Sequence, residues 1–600
     1  MQAKSSQAVS VSLPSWEANV GYEEGEEWVL SKMKQGYPRF YIHPVIARFA
    51  DSVSESYGDL GDQAMLFPSH AVATRCKEFF YAQDPSLGLH QVRIIAFRPS
   101  PSHVVKGTPD SLYAGIWAVL FPSSTFKIAK VFWQHTGDGV SSRRAEFCHH
   151  AYQEGSSLAD MEGSRPAETT RRLSKGPRRY QKKASIDKIH ATTVSNQNGL
   201  NGHTTANLDG SGEVQEHSQF IEERFGRNLN PSFASSAKLA IRRRIAGSLT
   251  ADVDLTEAMT IGGNPQQTRG IKNFTEDDVY LFPTGMSSIY NTHRMLRAAR
   301  GEMKSICFGF PYIDTLKILQ KWGPGCLFYG HGSSDDLDDL EKRCHQGEKY
   351  LALFCEFPGN PLLKSPDLRR IKTLADRYDF AVVVDETVGN FMNVHVLPHA
   401  DFVVSSLTKV FSGDSNVMGG SMGLNPEGRF YRLMQETIAT EYEDNYWAED
   451  AIFMERNSRD FVSRIERINV NAEAICKVLQ SHPRVKAIYY PLYSPTRQFY
   501  EHCRKPDAGY GGLLSATFYS TAEAVTFYDR IEIAKGPSLG TNFTLCSPYT
   551  LLAHYGELEW AAQFGVEADL VRISVGLEET SDLITIFERA LAEVAALLVS

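Results

Sequence analysis

No run in this sequence reaches the roughly 18 consecutive apolar residues that a membrane span requires, so no integral membrane protein is expected. Positive charge is in short supply as well. Lys and Arg number 62 against 71 Asp and Glu, a net charge of −9. With no basic stripe in the parts that read as folded, a dedicated nucleic-acid binder is excluded. Paired cysteines are missing: nine stand at 76, 148, 307, 326, 344, 355, 476, 503 and 546, none in a CxxC. That pattern indicates neither a zinc site nor a disulfide framework, and no metal is expected. The opening residues, MQAKSSQAVSVSLPSW, lack both a charged-then-apolar signal pattern and an Arg-rich transit bias, which predicts a cytoplasmic protein. What is present is globular composition, 42% hydrophobic and 22% charged over 600 residues. That length is generous for one enzyme.

Composition also divides the chain. From about 154 to 219 large apolar residues are sparse, and RRLSKGPRRYQKK (171–183) carries seven basic residues and no acid. Such a stretch cannot bury enough apolar surface to offset its ordering entropy, which predicts a disordered linker. Before it, residues 1–153 hold strand-like runs (HQVRIIAFRP, LYAGIWAVLFP, FKIAKVFWQ) and a helix around Pro44–Val53. After it, strands alternate with helices: DVYLFP then SSIYNTHRMLRAAR, KYLALFCEFP then SPDLRRIKTLADRY, FAVVVDE, ADFVVSSLTK. This alternation predicts an α/β fold with a mainly parallel sheet. The large domain is placed at 220–425 and a smaller α+β domain at 426–600. The latter closes with a helix over SDLITIFERALAEVAALLV, opened by a cap-like Ser581-Asp582.

Five local features carry chemistry. In SSLTKVFSG (405–413), a strand offers the hydroxyls of Ser406 and Thr408 on one face, and Lys409 follows among apolar neighbours. A lysine so placed can act as an amine nucleophile, and hydroxyls suit a phosphate ester. FAVVVDET (380–387) sets Asp385 at the C-terminal end of a strand, where open α/β sheets bind ligands and a carboxylate can pair with a pyridinium nitrogen. DVYLFPTGMSSIYNTHRML (278–296) ends a strand at Thr284-Gly285-Met286 and starts a helix at Ser287, an anion site that Gly285 keeps open. GFPYIDTLKIL (309–319) offers Tyr312 as a stacking surface. LVRISVGLEE (570–579) carries Arg572, whose fork suits a carboxylate. Each alone is as well explained by packing, capping or a structural ion pair. Their order along one chain is what a fold-type I pyridoxal phosphate (PLP) enzyme requires.

With those residues in view, the chain resembles the Cys/Met-metabolism PLP enzymes, the cystathionine γ-synthase family. The resemblance runs from Phe220 to the C-terminus through TGMSSI, EFPGNPLL, VVVDET, SSLTKVFSG, GPSLGTNFTL and VRISVGLEE. It implies PLP bound covalently to Lys409, which shuttles protons. It implies Asp385 on the pyridinium, Tyr312 on the ring, and Gly285, Met286, Ser406 and Thr408 on the phosphate. Asn360 would lie by the phenolic oxygen, Ser538 beside Lys409, and Arg572 on the substrate carboxylate. The family also reaches the phosphate with a Tyr-x-Arg from a neighbouring subunit. The corresponding FGRNLNPS (225–232) keeps Arg227 but has Phe225 for the tyrosine, losing a hydroxyl at the cofactor's edge. A homodimer or homotetramer is implied. The implied reaction is γ-replacement on an O-acyl-L-homoserine by cysteine, through a vinylglycine-type intermediate, giving cystathionine for methionine synthesis. Alternatives are a relative that adds a carbon nucleophile, a γ-lyase or sulfhydrylase, and an inactive regulator.

The stretches 10–44 and 130–148 resemble the long extension of fungal members. That extension contains echoes of the large domain. GYPRFYIHPVIARFA (36–50) resembles RFGRNLNPSFASSAKLAI (224–241), and AMLFPSHAVATRCKEFF (64–80) resembles VYLFPTGMSSIYNTHRML (279–296). A decayed partial duplicate is predicted, with Ser69-His70 where Gly285-Met286 stand, and with Tyr37 or Arg39 available to an active site in place of Phe225.

Overall fold

The computed structural model describes residues 7–33, 41–88, 90–99, 115–155, 157–161, 233–250, 252–260 and 269–597. Tyr37, Arg39, Phe225 and Arg227 lie outside the described residues, as does most of 154–219. Within the latter stretch, a short strand at Ser157–Met161 is described.

Sixteen strands are described, in three sheets. The first holds β1 (Asp62–Phe67), β2 (Arg93–Pro99), β3 (Ile116–Pro122) and β4 (Ser157–Met161), in the order β1-β3-β2-β4. The second holds β5 (Val279–Phe282), β6 (Ser305–Phe308), β7 (Cys326–Tyr329), β8 (Ala352–Glu356), β9 (Ala381–Asp385), β10 (Phe402–Ser406) and β11 (Gly420–Leu424). The third holds β12 (Val485–Tyr489), β13 (Leu513–Phe518), β14 (Ala534–Lys535), β15 (Leu545–Pro548) and β16 (Val571–Ser574).

The second sheet runs β5-β11-β10-β9-β8-β6-β7. Every neighbouring pair is parallel except those made by β11, which pairs antiparallel with both β10 and β5. Six strands thus share one direction. Helices cover both faces, so the central strands are apolar throughout: Ala381, Val382, Val383 and Val384 are all buried before Asp385 ends the run. This is the fold-type I architecture, with the ligand edge at the C-terminal ends of the parallel strands.

The third sheet is antiparallel apart from the β14–β15 pair. Helices Phe461–Ser481 and Thr580–Ala596 cover it through Ile475, Leu479, Leu583, Phe587 and Leu591, giving the small α+β domain. The last helix starts at Thr580 after Glu579, not at a Ser581 cap, and Glu579 makes no side-chain cap bond. Part of the segment 7–33 runs along this domain: the Leu13 amide donates to the Lys535 carbonyl (3.2 Å) and the Tyr528 hydroxyl to the Leu13 carbonyl (2.7 Å).

One expected strand is a helix. FKIAKVFWQ lies within Phe126–Thr136, whose buried residues Ala129, Phe132 and Thr136 follow the i, i+3, i+7 spacing of one helical face. Phe132 packs edge-on against Phe67 and tilted against Phe79, joining this helix to the first sheet. The same hydrophobic cluster contains Phe282, Ile289, Tyr290 and Trp322 of the large domain. The extension and the large domain share a core.

Candidate active site

The parallel register of β8 and β9 sets Glu356 directly beside Asp385, at the ends of adjacent strands. Both are buried. Burial pushes the Asp385 carboxyl up, while hydrogen bonds from Thr387 pull it down; the Thr387 amide donates to Oδ1 at 2.9 Å. Glu356 is pushed up by burial and by the neighbouring Asp385 charge. It accepts backbone N–H bonds from Tyr312 and from Asn360 (2.9 Å), tying the β6 and β8 loops together. Tyr312 stands before helix Ile313–Lys321, as expected, and lines the same cavity.

β10 ends at Ser406, so Thr408 belongs to the following turn rather than to the strand face assigned to it. Strand alternation does not deliver it; backbone bonding does. The Gly419 amide donates to the Thr408 hydroxyl (3.2 Å), and both Ser406 and Thr408 reach the cavity. Lys409 comes next and donates through Nζ to the Ser538 hydroxyl at 3.3 Å. The Ser538 carbonyl in turn accepts from Arg572 Nη2 (2.8 Å), as does that of Pro537 (2.7 Å). Arg572 Nη1 donates to Asn360 Oδ1 (3.2 Å), and its guanidinium lies 4.8 Å from the Tyr549 ring centroid. Lysine, serine, arginine and asparagine from four separate segments therefore meet in one group.

Opposite them is the start of helix Gly285–Arg300, two residues earlier than the expected Ser287. Thr284 caps it, accepting from the Ser287 amide at 3.0 Å. A Cβ on Gly285 would lie 2.5 Å from that of Ser406, so only glycine lets this turn close on β10. Gly285, Met286, Ser406 and Thr408 thus form one wall of a cavity whose other walls hold Tyr312, Asn360, Asp385, Lys409 and Arg572. All the expected site residues that the structure describes, except Ser538, line it directly. Ser538 touches it through Lys409. Arg227 is outside the described residues.

Residues 273–592 match the family model for the Cys/Met metabolism PLP-dependent enzymes, and residues 45–141 match that for the N-terminal domain of fungal trans-sulfuration enzymes. The chain belongs to the Cys/Met metabolism PLP-dependent family. It is 52% identical to a cystathionine γ-synthase of Neurospora crassa, over 98% of this chain and 97% of that one. A cystathionine γ-synthase-like enzyme of Amanita muscaria is 41% identical (97% and 94% covered), and a cystathionine γ-synthase of Saccharomyces cerevisiae 38% (97% of each).

The family's cofactor is pyridoxal phosphate, and two observations show that the residues present fit it. The Gly285 turn is a cradle that a single methyl group would fill, with backbone N–H groups of a helix start around it. Asp385 is a carboxyl on the cavity wall whose charge is penalised by its surroundings and would be relieved by a pyridinium N–H. Among the described residues, no cluster of His, Cys, Asp and Glu is arranged to hold a metal, and no helix is long and apolar enough to cross a membrane.

Glu356, Thr387 and Tyr549 were not singled out from sequence. Glu356 sits in EFPGNP and Thr387 in VVVDET, but their tasks depend on the β8–β9 and β9–β10 pairings: the Thr387 hydroxyl, for example, accepts from the Ser406 amide (2.8 Å). Tyr549 follows β15 in a segment without a motif, and only the pairing of β15 with β16 brings it under Arg572.

Proposed function

We propose that the chain is a cystathionine γ-synthase: it releases the acyl group from Cγ of an O-acyl-L-homoserine and joins the sulfur of L-cysteine there, in the cytoplasm and as a homodimer or homotetramer. The observation that carries this reading is the contact series Lys409–Ser538–Arg572–Asn360, which sets an amine beside an arginine fork in one cavity. The names of the relatives above agree with it. Bound pyridoxal phosphate supplies the electron sink that makes hydrogens on the substrate's Cα and Cβ removable. Lys409 Nζ is the group placed to take the Cα proton and to carry protons onward, steadied by the Ser538 hydroxyl. Arg572 holds the substrate carboxylate, its plane set by the Pro537 and Ser538 carbonyls. Asp385 would hold the proton on the ring nitrogen, and Glu356 fixes the backbone of Tyr312 and Asn360 at the cavity wall.

Mass spectrometry of products tests this. The purified protein is offered O-acetyl- or O-succinyl-homoserine with cysteine, sulfide and an enolisable ketone in competition. Cystathionine is expected as the main product. Release of the acyl group without cystathionine overturns the reading and points to a different nucleophile or to elimination.

A further inference from the structure

The extension repeats the large domain's opening elements in three dimensions. In the extension, helix Pro44–Tyr57 packs on β1, which runs through Pro68 and the cap Ser69 into helix His70–Gln83. In the large domain, helix Ala234–Ala246 packs on β5, which runs through Pro283 and the cap Thr284 into helix Gly285–Arg300. The caps align Ser69 with Thr284 and His70 with Gly285, one position away from the pairing expected from sequence. β1 pairs antiparallel with β3, and β3 with β2; β5 pairs antiparallel with β11, and β11 with β10. After β3 come helices Phe126–Thr136 and Ser142–Gln153, packed on the His70 and Pro44 helices respectively. After β11 come helices Tyr431–Glu441 and Ala448–Asn457, which the boundary expected at 425 assigns to the small domain but which pack on the Gly285 and Ala234 helices respectively.

Contacts between the two sets are reciprocal. The Ser69 hydroxyl donates to Glu443, in the loop between the last two helices of the large-domain set (2.7 Å). The Thr284 hydroxyl donates to the Gly137 carbonyl, in the corresponding loop of the extension (3.1 Å). The two final helices meet at matching N-terminal ends, through the buried pair Arg143–Asp450 (3.1 Å). Contacts of this self-matching kind are those of two copies about a two-fold axis.

On the Thr284 side the contact is also close and polar. A Cβ on Gly137, at φ +62°, would lie 2.3 Å from Thr284 Oγ1 and 2.7 Å from the Ser287 amide. The Thr284 hydroxyl therefore caps its own helix with a lone pair while giving its proton to the extension. Next to it, Asp138 is buried and accepts from the Ser287 hydroxyl and from Asn291 Nδ2 (3.1 Å), both in the first two turns of the Gly285 helix. Arg75 of the extension lies 3.6 Å from its other oxygen.

We propose that the extension is an internal second copy of the large domain's opening elements, and that its Gly137-Asp138 turn is a positioning element that holds Thr284–Ser287 in the shape that receives the cofactor's phosphate. Among the described residues the copy has no strand between helix His70–Gln83 and β2 to match β8 or β9, hence no match for Glu356 or Asp385; β4, later in the chain, takes the edge beside β2 that β9 takes beside β10, and His70 stands where Gly285 leaves room. It serves the one catalytic cavity from outside, within the same chain. This rests on the reading that the Gly285 turn takes the phosphate.

The test is titration of the full-length apoprotein with pyridoxal phosphate, followed by the visible absorbance of the lysine-bound cofactor. Four variants are compared: Asp138→Ala, Asp138→Asn, Arg143→Met and Gly285→Ala. Asp138→Ala removes charge-assisted acceptors and is expected to weaken cofactor affinity about tenfold or more, with Asp138→Asn in between. Arg143→Met loosens the same interface away from the turn and is expected to change affinity by no more than about twofold. Equal loss in Asp138→Ala and Arg143→Met means general undocking and overturns the proposal. Unchanged affinity in Asp138→Ala, with a loss in Gly285→Ala, overturns it while leaving the phosphate reading in place. Unchanged affinity in Gly285→Ala removes the phosphate reading itself. If Asp138→Ala does not fold, the phosphorus resonance of the Asp138→Asn holoenzyme decides: a shift from wild type supports the positioning role, and an identical resonance overturns it.

Discussion

At the scale of single residues, the cavity imposes limits that substitution can measure. Gly285→Ala places a methyl group against Ser406, where neither β10 nor the capped helix start can retreat. Overpacking of this kind costs about 1–3 kcal/mol, and here it falls on the cofactor's phosphate wall. Cofactor affinity is expected to drop by about tenfold, read by equilibrium dialysis, and the apoprotein to lose about 1–3 kcal/mol of stability in urea unfolding. His293 illustrates a different limit. It is buried on the Gly285 helix with Nε2 3.2 Å from the Ser305 hydroxyl, and burial, reinforced by Arg297, pushes it from its ordinary 6.5 down to about 3. The folded protein therefore binds fewer protons than the unfolded chain between those values. The stability of the neutral ring is complete above pH 6.5 and is lost as the pH falls towards 3. At pH 5 the loss amounts to about 2 kcal/mol, from 1.4 kcal/mol per pH unit. His293→Gln removes that proton linkage, so denaturant unfolding at pH 7 and pH 5 should differ by about 2 kcal/mol less than in wild type. An unchanged difference would show that His293 does not titrate in this window.

At the scale of elements, the sequence was legible wherever a motif coincided with the end of a parallel strand. VVVDE and SSLTK announce themselves because a strand buried on both faces is uniformly apolar and the first polar residue marks its ligand edge. Glu356 was not legible as a partner of Asp385, since only the register of β8 on β9 makes them neighbours. Thr408 was assigned to a strand face because alternation is the simplest reading of two hydroxyls two residues apart, yet the backbone turns after Ser406. FKIAKVFWQ failed for a related reason: aromatic and β-branched residues suggest a strand, and over nine residues the two periodicities are hard to separate. The burial pattern separates them. A strand would place Lys130 and Phe132 on one face, whereas Lys130 is exposed and Phe132 buried against Phe67 and Phe79. Phe132→Ala is expected to cost about 3–5 kcal/mol in urea unfolding, and Lys130→Ala no more than about 0.5 kcal/mol. Comparable costs at the two positions would contradict the helical face.

At the scale of the molecule, the surplus length is not an appendage. Phe79 of the extension stacks on Trp322 of the large domain with centroids 5.0 Å apart, and the buried Arg143–Asp450 pair crosses the same interface. A buried ion pair contributes little net stability when intact, but removing one partner leaves an uncompensated charge and costs about 3–5 kcal/mol. The large domain without the extension would lose this partner and open Asp450 to water, and would expose Trp322, Ile289 and Tyr290 from a core that continues into the extension. Covalent continuity between the two should matter far less than their contact. If the chain is expressed as two polypeptides divided between His190 and Ala191, a tag on the shorter piece should recover the longer one in equal amount, with pyridoxal phosphate bound. The longer piece expressed alone should aggregate or purify without cofactor. If it is instead soluble, monodisperse and fully loaded with pyridoxal phosphate, the shared core is dispensable and the large domain is an independent folding unit.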